Sequence, residues 1–218
     1  IMAGSPFASM MIKDGVDHVS VEGASNLPYA IPNLTVDLHT PTDIPVPVLW
    51  WRSVGSSHTA YSTEVFLDEV AAAMGKDPVA LRLELLGAHP RHAGVLKLAA
   101  EKANWGTPLK ATAGERRGRG VAVHESFNSF VAQVAEVTVK KDGSIKVDRI
   151  ICAVDCGTAI NPDNIRSQVE GAVGFALSAA LSGEITLNEG RVVQGNFDGY
   201  PLLRIGDMPA VEVHIVPS

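Results

Sequence analysis

Apolar residues in the first 48 positions come in short pieces broken by Pro, Gly, Ser and Asn. "LTVDLHT" alternates, with Leu34, Val36 and Leu38 on one side, which predicts a strand over 34–40. "IPVPVLWW" follows, its prolines suited to an edge strand or a strand start. The first 33 residues otherwise read as extended structure that needs a neighbour to pack against. From Ser57 the period becomes helical. Tyr61, Val65, Phe66, Val70 and Met74 share one face, Ser57 or Thr59 is available as the cap, and Gly75 is the stop. "KDPVALRLELLG" starts a second helix, with Asp77 as cap, Pro78 at the first helical position and Gly87 beyond the end. "HAGVLKLAAEKANWG" gives a third, with Val95, Leu96, Ala99 and Ala103 inward.

Residues 106–120 read as a loop whose Arg116, Arg117 and Arg119 suit either a phosphate, an acidic partner or solvent. Strands begin at Val121. "FVAQVAEVTV" alternates, Asp142-Gly143 supplies a hairpin turn, and "IKVDRIICAVD" returns, so 130–155 is a β-hairpin. The next helix has Asn161 as cap, Pro162 just inside and Gly183 after its end. It is apolar nearly all round after Gly171, which predicts burial, and Gly171 and Gly174 are costly inside a helix unless another backbone or a ligand approaches closely. "GEITLNEGRVVQ" is a second hairpin turning at 188–190, and "AVEVHIV" a last strand. These elements predict an α+β fold of mixed strands and hairpins packed with several helices. The chain organises as an extended segment with strands (1–56), a helical segment (57–106), and hairpins plus one buried helix (107–218), with 107–218 forming one domain with the rest.

Composition narrows the function classes. With 46% hydrophobic residues in 218, the chain has material for a substantial core. Eighteen basic against 24 acidic residues argue against a general nucleic-acid binder, while leaving room for a local anion site. No apolar run reaches membrane-spanning length. Cys152 and Cys156 are too few for a disulfide framework or a zinc site and read as two buried thiols. The beginning at Ile1 and the end after "AVEVHIVPS" read as cuts through a longer polypeptide.

Common catalytic signatures are missing: there is no Walker loop, GxGxxG after a strand, HExxH, CxxC or GxSxG. His58, His92, His124 and His214 are scattered without ligand spacing, and His124 and Glu125, adjacent on a strand, face opposite sides. Asp142 with Asp148, and Glu64 with Asp68, read as a polar face or a helix surface. Two stretches carry more. In "WWRSVGSSH", Arg52 ends an apolar strand and small residues lead into a helix. A guanidinium beside free backbone N–H groups there makes an anion clamp, and the alternative is an arginine lying over Trp50 or Trp51. In "DCGTAINPDNIRSQVEGAVG" a strand delivers Asp155 and Cys156 into a glycine turn. Gln168 then sits about two turns into the helix beside Glu170 and Gly171. Its carboxamide suits a heterocyclic edge, or else satisfies a buried backbone group.

Taken together, "WRSVGSSHTAYSTE", "KDPVALRLELL", "VAVHESFNSFVAQVAEV", "AVDCGTAINPD", "NPDNIRSQVEGAVGFALSAAL" and "NFDGYPLLRI" resemble the molybdenum hydroxylases, the family of xanthine dehydrogenase and aldehyde oxidase. The likeness is nearest to the large, molybdopterin-binding (beta) chain of the isoquinoline 1-oxidoreductase type and spans essentially the whole chain. It implies a piece of a larger molybdopterin-binding domain, whose complete protein hydroxylates an N-heterocycle or an aldehyde with water as the oxygen source. The implied cofactor is a molybdenum–pterin, as molybdopterin cytosine dinucleotide, and the implied partner a small subunit carrying iron–sulfur clusters. No nucleic acid and no membrane span are implied.

Residue by residue, Arg52 matches the family arginine near substrate and cofactor, and Gly55 a glycine that lets backbone approach the ligand. The resemblance implies Arg52 and Val54 as substrate-pocket residues, and Val54 stands where xanthine-oxidising relatives carry a phenylalanine that stacks on a purine. Gln168 and Gly171 match the "QVEG" element near the pterin dinucleotide. The family's catalytic glutamate lies in a Gly-Glu-Pro element that these residues lack and that is expected after Ser218; its glycine-rich cofactor loops are expected upstream. No metal ligand is required of this chain, since the pterin dithiolene holds the metal. The alternative is a non-catalytic α+β module acting in assembly.

Overall fold

The computed structural model describes residues 12–39, 41, 43 and 51–217. In chain order they form β1 (Ile12–Lys13), β2 (Val16–Asp17), α1 (Ser56–Ala73), α2 (Pro78–Leu85) and α3 (Pro90–Lys102). Next come β3 (Arg116–Ser126), β4 (Ser129–Val139), β5 (Ile145–Asp155), α4 (Pro162–Leu181), β6 (Leu187–Asn188), β7 (Arg191–Val192) and β8 (Ala210–Ile215). The fold is α+β. The chain divides into two compact units, Ile1–Lys97 with Val121–Ala132, and Leu98–Gly120 with Gln133–Ser218.

The main sheet has the order β3-β4-β5-β8. Phe127 and Asn128, at φ 50° and 60°, make the two-residue turn between β3 and β4, a pair of left-handed residues that suits the twist of a hairpin. Asp142-Gly143 turns β4 into β5 as expected, with Gly143 at φ 86° and Ser144 N–H donating to Asp142 Oδ1 at 2.9 Å. β8 lies parallel to β5, Arg149 opposite Ala210 and Val154 opposite Ile215, so the chain must cross over between them, and α4 is part of that crossover. Ile150, Ile151, Cys152, Ala153 and Val154 are consecutively buried, the mark of a strand covered on both faces. Val173 of α4 packs with Val147 and Ile150, and Val169, Leu177, Met208 and Val211 close around them. Both thiols are free; burial pushes the Cys152 thiol up to about 11, which makes it inert.

In the first unit a buried cation joins the helices. Arg82 of α2 has no exposed surface. Its Nε donates to Glu64 Oε2 at 3.0 Å and one terminal nitrogen to Asp68 Oδ1 at 2.6 Å. Further donations reach the carbonyls of Glu64 (2.7 Å) and Pro78 (3.2 Å). Glu64 also accepts from the Tyr29 hydroxyl at 2.7 Å and from Val123 N–H at 2.8 Å. Burial opposes the charge on Arg82, but Glu64 and Asp68 hold its pKa above the ordinary arginine value.

Several expectations are corrected. Residues 34–39 form no strand, and Leu34 and Leu38 are exposed. The strand expected from Ile44 onward lies outside the described residues except for Trp51. Helix α1 buries Thr59, Glu64, Leu67 and Ala71, not the apolar face, and Tyr61 and Phe66 remain 73% and 63% exposed. The Arg82 charge selects that face, since Glu64 must turn toward it. Gly55, not Ser57 or Thr59, is the N-cap residue, with no side-chain cap. Arg116–Gly120 belongs to β3, and two of its arginines, Arg117 and Arg119, are engaged within the fold while Arg116 is exposed. Arg117 meets Asp148 at 3.4 Å, and Arg119 donates to the carbonyls of Ala103, Asn104, Trp105 and Thr107 just past the end of α3. Glu64 with Asp68 is no surface pair. Of α4, only Val173 is buried. The capping residues Asp77 and Asn161, each followed by Pro at the first helical position, and the inward set Val95, Leu96, Ala99 and Ala103 are as expected.

Arg82→Met strands the Glu64 carboxylate and is expected to cost about 3–5 kcal/mol in urea unfolding. Adding Glu64→Gln leaves a neutral acceptor for Tyr29 and Val123 and is expected to recover part of the loss. A double variant no more stable than Arg82→Met alone contradicts this account.

Candidate functional site

The turn before α1 is strained. Val54 has φ 51°, a left-handed conformation that costs a β-branched residue about 1–3 kcal/mol. Its N–H donates to Trp51 O at 3.1 Å, Ser53 N–H to Ser57 Oγ at 3.3 Å, and Gly55 N–H to Glu22 Oε2 at 3.2 Å. The backbone donors expected to form an anion clamp are therefore engaged internally, one of them by a carboxylate. At Gly55 the close approach is made by the chain's own residues 19–22. A Cβ there would lie 2.8 Å from Val19 O and 2.9 Å from Glu22 Cβ. Arg52, the charged member of the expected clamp, is exposed.

The second stretch behaves differently. Asp155, at the end of β5, accepts from Gly157 N–H at 3.1 Å, and Gly157 takes φ 75°. Asn161 Oδ1 caps α4 by accepting from Asp163 N–H (3.0 Å) and Asn164 N–H (3.3 Å). Gln168, Glu170 and Gly171 are exposed, so Gln168 does not serve a buried backbone group. No atom lies within 4 Å of the Cβ position at Gly171, whereas Gly174 meets Met208 Sδ at 3.5 Å. Arg52, Val54 and Gly55 belong to the first unit, Gln168 and Gly171 to the second.

A group that the pattern of residues did not foretell lies in the first unit. Tyr29, Glu64, His92, His124, Glu125 and Phe130 line a cavity of about 260 Å³, so His124 and Glu125 reach it together despite their adjacency on β3. His92 stands edge-on to Phe130 at 4.7 Å, and the Arg91 guanidinium sits 4.1 Å from the Phe130 ring centre. Burial, helped by His89, lowers the His92 pKa to about 4 against the opposing pull of Glu125. Burial also lowers His124, outweighing Glu64, Glu125 and Glu22. Both rings are neutral donor–acceptors near neutral pH. Among the described residues no group of three or more His, Cys, Asp or Glu is arranged to hold a metal. The only hint in the sequence is the spacing of His89 and His92, which are neighbours on a helical turn.

The phosphate-bearing pterin implied by the resemblance needs a cation, a carboxamide and backbone within reach. Within the second unit the exposed Gln168 and the open flank of Gly171 offer a carboxamide and uncovered backbone of the kind such a group needs; the exposed Arg52 offers a cation in the first unit.

A family model described as "Molybdopterin cofactor-binding domain" matches residues 67–209. The chain is 33% identical over 191 residues to the beta subunit of isoquinoline 1-oxidoreductase from Brevundimonas diminuta, covering 87% of this chain and 24% of that protein. It is 30% identical over 233 residues to a subunit of nicotinate dehydrogenase from Pseudomonas putida, covering 98% and 20%. The chain thus spans about a quarter or less of the length of these two relatives. The crystal structure of the aldehyde oxidoreductase from Desulfovibrio desulfuricans shares the fold, with TM-score 0.61 at 12% identity over 78% of this chain and 36% of that one.

The two glycines predict opposite responses. Gly55→Ala forces Val19 or Glu22 aside and is expected to destabilise by about 1–3 kcal/mol. Gly171→Ala fills open space in a helix interior and is expected to stabilise by up to about 1 kcal/mol, both read by thermal unfolding. For His92, the folded pKa of about 4 lies below the unfolded value near 6.5. Its contribution is complete above pH 6.5 and is lost as pH falls toward about 4, because the unfolded chain binds the proton first. Unfolding free energy measured across that window should fall by a few kcal/mol, and His92→Phe should flatten the slope. An unchanged slope in that variant contradicts the assignment.

Proposed function

Since the chain belongs to the molybdopterin cofactor-binding domain family, we propose that its whole protein is the cofactor-binding subunit of a molybdenum hydroxylase acting on N-heterocycles or aldehydes. In this reading the residues described supply contacts to cofactor and substrate. The proton-abstracting glutamate belongs to the rest of the polypeptide. The cofactor form proposed is molybdopterin cytosine dinucleotide, and the partner a small iron–sulfur subunit that receives the electrons.

The observation that carries this reading is the exposed carboxamide of Gln168 beside the open flank of Gly171, on a helix inside the matched stretch 67–209. The bound cofactor supplies the oxidising centre and the site at which water-derived oxygen is transferred. Gln168 offers two N–H donors and an acceptor to a heterocyclic edge. Gly171 lets that edge approach the helix backbone. Arg52 supplies a permanent positive charge toward an anionic group of cofactor or substrate. Gly55 fixes the course of the backbone from which Arg52 projects. Val54 presents an aliphatic wall where a stacking ring would sandwich a purine, which favours smaller or differently oriented rings.

Molybdenum and pterin analysis of the whole protein, produced with cofactor-maturation factors, tests the assignment. Wild type should carry both, and Gln168→Ala and Gly171→Leu should lower occupancy several-fold without loss of folded protein. A whole protein free of molybdenum and pterin sinks the reading in favour of an assembly role. Isoquinoline, nicotinate and benzaldehyde, screened with an artificial electron acceptor, identify the substrate class. On the best of them Arg52→Ala should lower kcat/KM about tenfold or more, the effect of losing one charge-assisted contact.

A further inference from the structure

Resting on the assignment of Arg52 to the ligand pocket, we propose that Glu22 is a positioning residue, whose carboxylate holds the Arg52–Gly55 turn in the conformation that presents Arg52. Glu22 stands 33 residues earlier in the chain than Gly55, yet its Oε2 accepts from Gly55 N–H at 3.2 Å. Its carbonyl lies 2.8 Å from the Thr59 hydroxyl, one turn into α1. That hydroxyl also lies 2.9 Å from Gly55 O, so its proton is shared between the two segments.

Two glycines make the fit close. The missing side chain of Gly55 admits Val19 O and Glu22 Cβ. Gly23, at φ 82°, would carry a Cβ into Thr59 Oγ1 and within 3.3 Å of His124 Cε1. Residues 19–23 and 52–59 are thus turns packed face to face, with a negative charge at the start of the 18-residue helix α1, where the aligned peptide dipoles favour it.

The strain at Val54 gives the bracket its purpose. A β-branched residue at φ 51° keeps that conformation only if its surroundings over-determine it. The Glu22–Gly55 bond fixes the residue after Val54, and Arg52 lies two residues before it. Releasing Glu22 lets the turn relax and carries the guanidinium with it. Glu22 touches neither substrate nor cofactor in this account; it acts through Arg52.

The test uses the whole cofactor-loaded protein and the best substrate of the screen above. Glu22→Ala should lower kcat/KM about tenfold at unchanged molybdenum content, and Glu22→Gln, which keeps an acceptor, should stay within about threefold of wild type. In an Arg52→Ala background, Glu22→Ala should cost nothing further. Losses that multiply, or a Glu22→Ala enzyme with wild-type turnover, overturn the proposal. Limited trypsinolysis after Arg52 reads the bracket without any ligand: Glu22→Ala should accelerate that cut several-fold and Glu22→Gln should not. Should Arg52→Ala leave turnover intact while the cut is still accelerated, the pocket assignment fails and the bracket stands. An unaccelerated cut removes the bracket itself. If Glu22→Ala does not accumulate as holoenzyme, Glu22→Asp, which withdraws the carboxylate by one methylene, carries the same expectations.

Discussion

A single buried guanidinium organises the first unit. Arg82 is out of contact with solvent and cannot give up its proton, so its surroundings must satisfy it. Glu64 and Asp68, one turn apart on α1, therefore face α2, and this overrides the apolar stripe that would otherwise have set the helix rotation. Glu64 then passes the constraint on, since its remaining lone pairs hold the Tyr29 hydroxyl and the Val123 amide. Ala30 N–H donates to Leu85 O at 2.9 Å, which ties the same segment to the end of α2. The rotation of α1 fixes where its first turn begins, and with it the strained bend at Val54 and the exposure of Arg52.

What can be read in the sequence follows from the range of the interactions. Asp77-Pro78 and Asn161-Pro162 announce helix starts because capping is settled within three or four residues. Asp142-Gly143 announces a turn for the same reason. Long strands with steady alternation, such as Ser129–Val139, are equally plain. The departures share one cause, partners far away in the chain. The face of α1 is set by a charge 18 residues beyond Glu64. Arg117 and Arg119 look like a solvated cluster until Asp148 and the carbonyls beyond α3 are brought to them.

The candidate site divides along the same line. Gln168 and Gly171 stand out in the sequence as residues whose chemistry needs a second party, and both are exposed. Gly55 stands out for close approach, and the close approach is real, but its partner is Val19 and Glu22. The stretch "SVEGAS" contains no pattern that marks Glu22, because its role is defined only when the turn before α1 arrives beside it. The same holds for the neutral imidazoles of His92 and His124, whose shared cavity is assembled from α3, β3 and the segment near Tyr29.

The parallel pairing of β5 with β8 has a kinetic corollary. Arg149 cannot meet Ala210 until everything between them, α4 included, has been gathered into a closed loop. Pairing of this kind has high contact order and comes late and slowly, whereas the β4–β5 hairpin closes locally. Until β8 docks, one edge of the buried apolar run Ile150–Val154 in β5 stays open and sticky. A nascent chain spends that interval at greatest risk of self-association, and chaperone dependence would be concentrated there.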